Sequence, residues 1–316
     1  MFAARGIAIS FSVFVMVYCA LSLAVCLSWQ RIWQSIQQQP AHRIADFLFA
    51  LRIFPLLLAA VVTAVFTVPS FLLLEPRSID EPIGAIPLAL GLCGAGLAIF
   101  GVVNATIAMR KASRAVSGWT NGARALKTEI PVPVLRISPA LPAVAATGIV
   151  RSRVLLSGAA ESVLTADELQ AALSHEVAHV RRRDNLKKLL FRFVAFPGTC
   201  ALETAWLEAT EMAADDVAIS SASEALDLAA ALIKLSRLGA IEPPVDLTAA
   251  LVHSPASIVN ARVERLLAWN EQRLVTTQSH SAWYGLGAAM ATVAVFAVTY
   301  SQLLVHVHTA TEWLVR

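Results

Sequence analysis

The sequence predicts a mainly α-helical membrane protein in which four transmembrane helices carry a water-facing α+β domain between the third and the fourth. Hydrophobic residues make up 57% of its 316 residues and charged residues only 15%, whereas an average soluble protein has about 25% charged residues. Four long stretches carry no charge, while residues 110–273 hold 19 of the 25 Lys and Arg and 17 of the 22 Asp and Glu. With a net charge of only +3, this composition excludes a soluble enzyme, a disordered tail and a nucleic-acid-binding domain.

Residues 6–30, 53–74, 82–109 and 274–311 are the four uncharged stretches. A helix needs about 20 apolar residues to cross the hydrocarbon core, so each stretch is long enough. The first is too long for the apolar region of a signal peptide and has no small-residue cleavage site, so we expect an uncleaved helix. The expected organisation is a three-helix transmembrane region over 1–109, a soluble domain over 110–273, and a fourth helix with a short outer tail over 274–316.

Charges in the loops indicate the orientation of the spans. The loop after the first span carries Arg31, Arg43 and Arg52 with a single acid, Asp46, and five basic residues follow the third span within 110–127. The loop between the second and third spans is net acidic. Because positively charged loops stay in the cytoplasm, we expect the domain on the cytoplasmic side and both termini outside.

The soluble domain combines short strands with amphipathic helices. Its basic first stretch, 111–129, predicts a helix along the membrane surface, and two β-branched runs, 132–137 and 149–156, predict short strands. Thr165-x-x-Glu168 is a capping box that begins a helix ending near residue 183. Further helices are predicted over 200–220, 223–238 and 258–270.

The helix that follows the capping box contains His175-Glu176-Val177-Ala178-His179. Helical residues four apart lie on one face, so the imidazoles of His175 and His179 can bind the same ion. Glu176 lies beside them, where it can take a proton from a water molecule that the metal activates. The pattern predicts a hydrolytic site with one Zn²⁺ ion and Glu176 as the catalytic base.

A third ligand must come from another part of the chain, because a hydrolytic zinc site has three protein ligands and one open position. Glu211 and Asp215 lie four apart on the helix predicted over 200–220. We assign Glu211 as the third ligand and Asp215 as the acceptor of a ligand imidazole N–H. Glu203 and Glu208 are rival acids on the same helix.

The pattern His175-Glu176-x-x-His179 followed by Glu211-x-x-Ala214-Asp215 resembles that of the gluzincins among integral-membrane metallopeptidases. The layout of the chain and the extension to Asp184-Asn185 are most similar to the BlaR/MecR-type peptidases of bacterial antirepressor signalling. Those sensor receptors continue into a large extracellular ligand-binding domain after the fourth span. Here only about a dozen residues follow that span, so we do not expect direct β-lactam sensing. HtpX-type and CAAX-prenyl endopeptidases share the zinc motif, and the chain is similar to them too.

This resemblance implies a zincin-like metallopeptidase domain in a bacterial inner membrane, cleaving a cytoplasmic or membrane-proximal protein in regulated signalling. The expected partners are a protein or peptide substrate, such as a transcriptional repressor, and membrane lipid, but not nucleic acid. HtpX-like quality control and a non-catalytic membrane sensor or scaffold are the alternatives. A transporter is disfavoured because no charged residue lies inside a predicted span.

Other candidate residues lie around the motif. We expect Asp184 to brace the end of the motif helix, and His253, which Ser254 separates from Pro255, to be a candidate contact to the substrate or the transition state. The segment 143–153 is expected to supply an edge strand that holds a substrate backbone. The basic run Arg181-Arg182-Arg183 is a candidate contact to anionic lipid headgroups.

Overall fold

The computed structural model describes residues 2–76, 84–126, 130–138, 143–194, 196–238, 249–250, 256–269 and 299–312. The helices within these ranges are α1 (Phe2–Ile36), α2 (Ala41–Val61), α3 (Val68–Leu74), α4 (Ala85–Trp119), α5 (Gly158–Val163), α6 (Ala166–Arg182), α7 (Asp184–Phe193), α8 (Cys200–Ala218), α9 (Ala222–Arg237) and α10 (Ala256–Leu267). The strands are β1 (Arg124–Leu126), β2 (Val134–Ile137), β3 (Val144–Thr147), β4 (Arg153–Ser157) and β5 (Ala249–Ala250). Residues 299–312 are also helical.

Among the described residues, three helices are long and apolar enough to cross a membrane. They are Phe2–Ile36, Ala41–Leu74 and Ala85–Trp119, and the second includes a π-helical segment, Val62–Thr67, between α2 and α3. These helices contain the first three predicted spans and confirm that those stretches are long apolar helices. Most of the predicted fourth span, 274–311, lies outside the described residues, so that span stays a prediction.

The chain divides into two compact units. Unit 1 comprises Met1–Trp29, Ile53–Phe100 and Val275–Arg316, and unit 2 comprises Gln30–Arg52 and Gly101–Leu274. In unit 1 the helices approach closely at glycines, since a Cβ at Gly94 would lie 2.7 Å from the backbone oxygen of Phe11. Small residues permit such approaches between membrane helices.

The basic segment after the third span does not form a separate surface helix. The prediction for 111–129 was wrong, because α4 continues without a break to Trp119 and the chain then turns into β1. Trp119 is buried against Ile137 and Leu155, so the end of α4 packs on one face of the sheet in unit 2. Burial of this large aromatic surface stabilises the continuation of the helix.

The sheet of unit 2 has the strand order β1-β2-β4-β3-β5. β2 and β4 are parallel, and every other pair of neighbours is antiparallel. The strand predictions for 132–137 and 149–156 correspond to β2 and β4, but β4 begins at Arg153 because the chain turns after Gly148, whose φ is +88°. β3, with the sequence Val-Ala-Ala-Thr, lies in the segment 143–153 that was expected to supply an edge strand, although alanine has a low β-propensity.

The helices α6 and α9 and the second face of the sheet enclose the core of unit 2. Val154 and Leu156 of β4 pack there with Ala172 of α6 and with Leu228 and Leu232 of α9, all fully or almost fully buried. Small residues such as Ala172 let α6 lie close to the sheet. The motif helix is therefore held between the sheet and other helices rather than on the surface.

The ends of α6 are both well defined. The capping box is confirmed: the Thr165 hydroxyl accepts from the Glu168 N–H at 3.3 Å, and the Glu168 carboxylate accepts from the Thr165 N–H at 2.8 Å. At the other end Arg183 has a φ of 54°, a left-handed conformation that is costly for a residue with a side chain. This turn ends α6 and begins α7 at Asp184.

Candidate metal centre

Three metal-ligating side chains converge in unit 2. The Nε2 atoms of His175 and His179 on α6 lie 3.0 Å apart. Glu211 on α8 places Oε2 at 3.5 Å from His175 Nε2 and Oε1 at 3.5 Å from His179 Nε2. The three residues therefore form a group that can hold one metal ion.

The spacing of these atoms fits zinc. Zinc bonds nitrogen and oxygen ligands at about 2.0–2.2 Å, so two ligands at the corners of a tetrahedron lie about 3.3–3.6 Å apart. The three observed separations, 3.0, 3.5 and 3.5 Å, are close to that range. One tetrahedral ion with a fourth, open position fits this donor set.

The second ring nitrogen of each histidine faces a buried carboxylate. His175 Nδ1 lies 2.9 Å from Asp215 Oδ1, and His179 Nδ1 lies 2.8 Å from Asp184 Oδ2. A proton on Nδ1 leaves the Nε2 lone pair for a metal, so the hydrogen bond to Asp184 sets this tautomer at His179, and the nearby charge of Asp215 favours it at His175. Asp184 occupies its position because the left-handed turn at Arg183 brings the start of α7 against His179.

A buried arginine that sequence reasoning missed joins the two acids of α8. Arg262 on α10 is fully buried and donates from Nε and Nη2 to Asp215 at 2.8 and 2.6 Å. Its Nη1 donates to Glu211 Oε2 at 3.0 Å. No local signal in the sequence marks Arg262, since its spacing from the motif is long and its charge is ordinary for an amphipathic helix.

Glu176 has one carboxylate oxygen engaged and one available. Its Oε2 accepts a hydrogen bond from the backbone N–H of Ala146 in β3 at 2.6 Å. Its Oε1 is buried and has no hydrogen-bond partner among the residues that the structure describes. Buried polar atoms rarely lack a partner, so Oε1 is suited to a water molecule or substrate group in the site.

Burial dominates the ionisation of Glu176 and His179. Loss of solvation raises the pKa of Glu176 to about 8, although the charge of His175 opposes this shift. Loss of solvation also lowers the pKa of His179, against the opposing effects of Glu211 and Asp184. His179 is therefore held neutral, which is the form that binds a metal.

Charge pairing dominates the ionisation of the other groups. Burial by itself would raise the pKa values of Glu211 and Asp215, but the interactions of Glu211 with His179, Arg262 and His175 lower its pKa to about 2. Arg262 likewise lowers the pKa of Asp215 far below its ordinary range. Burial would lower the pKa of His175, yet its contacts with Asp215 and Glu211 raise it to about 9. The carboxylates of α8 are thus anionic, as a cation site requires.

β3 lies beside the centre but is not the edge of the sheet. Asn185 Nδ2 donates to the Ala146 carbonyl at 3.1 Å, so both polar backbone groups of Ala146 are held by side chains of the site region. The predicted edge strand within 143–153 was wrong in one respect, because Ala145 and Ala146 also pair with Ala250 and Ala249 of β5. This pairing of residues distant in sequence has no local signal.

The rival ligands do not join the group. Glu203 forms an ion pair with the buried Arg52 of α2, with Oε1 lying 3.1 Å from Nη2. Glu208 is not a member of the metal-ligating group. His253 lies outside the described residues, so its role stays a prediction.

Comparison with known proteins agrees with this geometry over part of the chain. Residues 134–240 match the family model of peptidase family M48, a segment that covers roughly a third of the chain. No curated protein sequence matches. The matched segment contains His175, Glu176, His179 and Glu211, and the match supports an M48-family metallopeptidase whose chain carries three apolar helices suited to a membrane.

Proposed function

We propose that the protein is a membrane-bound zinc endopeptidase in which His175, His179 and Glu211 hold the ion and Glu176 is the catalytic base. The observation that carries this proposal is the convergence of His175, His179 and Glu211, whose ligand atoms all lie within 4.8 Å of one another, next to the free Oε1 of Glu176. The match to a metallopeptidase family supports the same reaction.

The residues of the site provide each part of peptide hydrolysis. A zinc ion, when bound, would polarise the peptide carbonyl and make a water molecule more acidic. Glu176 accepts the proton of the attacking water at Oε1 and delivers it to the nitrogen of the leaving amine. Asp215 and Asp184 keep both imidazoles in the ligand tautomer. The N–H of Ala146 holds the other oxygen of Glu176 and so orients the base.

Replacement of Glu176 by Gln tests the proposal. We expect Glu176→Gln to retain zinc and to lose about 10²–10⁴-fold in cleavage rate, the usual contribution of a general base. Zinc content and cleavage of a casein-type substrate are measured on the full chain in detergent. Full cleavage by the variant would remove Glu176 from its role.

The same experiment tests the non-catalytic alternative. If the wild-type chain binds zinc but cleaves no protein substrate, and Glu176→Gln behaves identically, a sensor or scaffold that retains the metal site is the better description. Glu208→Gln is the matched control, because it removes a carboxylate from α8 that is outside the metal-ligating group.

We further propose that the peptidase domain faces the cytoplasm of a bacterial cell and cleaves a regulatory protein there. The positive loops around the first and third spans support this orientation. The similarity to BlaR/MecR-type peptidases supports a transcriptional repressor as substrate. The test is zinc-dependent cleavage of a winged-helix repressor encoded beside the gene, whereas cleavage only of unfolded membrane proteins would indicate HtpX-like quality control.

A further inference from the structure

The turn between β3 and β4 exposes an apolar side chain at its tip. Val150 is 94% exposed and the neighbouring Arg151 is exposed as well. The turn is built tightly, since a Cβ at Gly148 would lie 2.5 Å from the backbone oxygen of Arg151. Single exposed apolar residues are common on protein surfaces, so the position of this tip and the charges beside it decide what Val150 contacts.

The residue that precedes Val150 in the turn shows where the tip lies along α4. Ile149 packs against Ala108 and Ala112 of α4, as does Leu189 of α7. Ala108 and Ala112 lie on either side of the point where α4 changes from uncharged to basic, at Met109 and Arg110. The tip is therefore level with the end of the third span.

The surface of α4 next to this point is still apolar. Four residues are each between 46 and 55% exposed: Val102, Val103, Ile107 and Met109. Exposed apolar residues on one continuous membrane helix face acyl chains. The apolar tip of the turn thus lies at the level where that lipid-facing surface ends.

Charge on the same part of unit 2 has one sign. The described stretches 102–126 and 143–157 contain six basic residues and no acidic residue: Arg110, Lys111, Arg114, Arg124, Arg151 and Arg153. The whole chain, by comparison, has a net charge of only +3. The basic residues of the turn and of the adjoining part of α4 are complementary to anionic lipid headgroups beside an acyl layer, while Arg124 lies further from the turn, in register with Arg136 and Leu156.

We infer that the β3–β4 turn, residues 148–152, inserts Val150 into the headgroup region of the bilayer while Arg151 binds lipid phosphate. The turn is a second membrane contact of the peptidase domain, besides the helices. β3 also carries Ala146, whose N–H holds Glu176, and Asn185 of α7 donates to the carbonyls of both Ala146 and Gly148. The contact therefore positions the edge of the active site at the membrane surface. This part of the inference rests on the proposed function, and it favours substrates that are anchored in the bilayer or lie close to it.

A fluorescent probe at the tip tests the contact directly. The four native cysteines are free and are replaced by alanine, and a polarity-sensitive fluorophore is attached to Val150→Cys in the full chain with Glu176→Gln. The protein is reconstituted in phosphatidylcholine vesicles, with or without phosphatidylglycerol, in which brominated acyl chains quench the probe. Met109→Cys is the positive control. Leu226→Cys, an exposed leucine of α9 between Glu224 and Asp227, is the matched control.

We expect brominated lipid to quench the probe at position 150 nearly as much as at position 109, and to leave position 226 unquenched. Phosphatidylglycerol should increase quenching at position 150, and Arg151→Glu should abolish that increase. A probe at 150 that is no more quenched than at 226 overturns the inference. A blue shift of the probe's emission at position 150 that grows with the protein-to-lipid ratio and comes without quenching also overturns it, since that result indicates contact with a second copy of the chain.

A catalytic measurement connects the contact to the substrate. Val150→Asp should reduce cleavage of a membrane-anchored test substrate several-fold and leave cleavage of a soluble casein-type substrate unchanged. Equal effects on both substrates would contradict a positioning role at the membrane. Because the quenching is measured in a Glu176→Gln background, it succeeds or fails independently of the proposed peptidase activity.

Discussion

Arg262 is the residue on which the electrostatics of the site depend. It is fully buried and its guanidinium contacts Asp215 and Glu211, which lie on the same face of α8. Two carboxylates so close together in a buried site repel each other unless a cation lies between them. Arg262 therefore keeps the acids of α8 anionic and leaves Glu211 oriented towards the two histidines.

Removing this cation should destabilise the protein in the absence of metal. We expect Arg262→Gln to lower the free energy of unfolding by about 3–5 kcal/mol, the usual cost of breaking a buried ion pair. Added zinc should recover part of the loss, but with a weaker dissociation constant than in the wild type. Thermal unfolding in detergent and a zinc titration provide the two measurements.

Arg265 on the same helix is the matched control for that variant. It pairs with Asp216 and is one-quarter exposed, so Arg265→Gln should cost less than about 1 kcal/mol. Equal destabilisation by the two variants would show that Arg262 has no special role in the site.

At the scale of elements, α6 owes its stability at the N-terminus to the capping box and to one ion pair. Lys234 of α9 donates to Glu168 Oε2 at 2.7 Å, and the Glu168 side chain is only 8% exposed. Burial would raise the pKa of Glu168, but the hydrogen bonds from Lys234 and from the Thr165 N–H lower it below its ordinary value. A carboxyl whose pKa is lower in the folded state stabilises the protein most above its unfolded pKa.

The contribution of Glu168 to stability should therefore be fully present above its unfolded pKa and be lost as the pH falls below that value. We expect Glu168→Gln to cost about 1 kcal/mol at pH 7, since the cap and the ion pair both weaken. The difference from the wild type should shrink as the pH falls below about 4.3, the unfolded pKa of Glu. Denaturant unfolding at a series of pH values measures the difference in unfolding free energy between the wild type and the variant. A difference that persists at pH 3 would show that the charge of Glu168 is not its cause.

Four elements of unit 2 contribute residues to the candidate metal centre. α6 supplies both histidines, α8 supplies Glu211, α10 supplies Arg262 and β3 holds Glu176. A metal ion bound to α6 and α8 links two elements that are far apart in sequence. Binding to the folded state alone raises stability by mass action, by about 2.7 kcal/mol at a ligand concentration 100 times the dissociation constant.

Chelation should therefore lower the unfolding temperature of the full chain, and added zinc should restore it. Glu211→Gln should lose most of the zinc-dependent shift, because it removes one of three ligands. Glu208→Gln should keep the whole shift. The intrinsic fluorescence of the buried Trp206, which packs edge-on against Phe191, provides a signal for unfolding. A shift of equal size in all three proteins would mean that the ion binds elsewhere.

The sequence by itself determined the long apolar helices, the capping box and the histidine pair of the metal-ligating group, because these features depend on composition and on spacings of a few residues. It also predicted Glu211 and Asp215, whose separation of four residues places them on one helical face. The sequence also predicted the end of α6 near residue 183, but not the left-handed conformation of Arg183, which no Gly or Asn marks.

Only the tertiary structure decided what surrounds the motif. β3 is a strand because burial against α6 outweighs the low β-propensity of its alanines, and its pairing with β5 joins residues about a hundred positions apart. Arg262 lies 47 positions after Asp215, and its role follows from two buried carboxylates that need a cation. Contacts between distant segments depend on the packing of the whole domain, which leaves no periodic pattern in the local sequence.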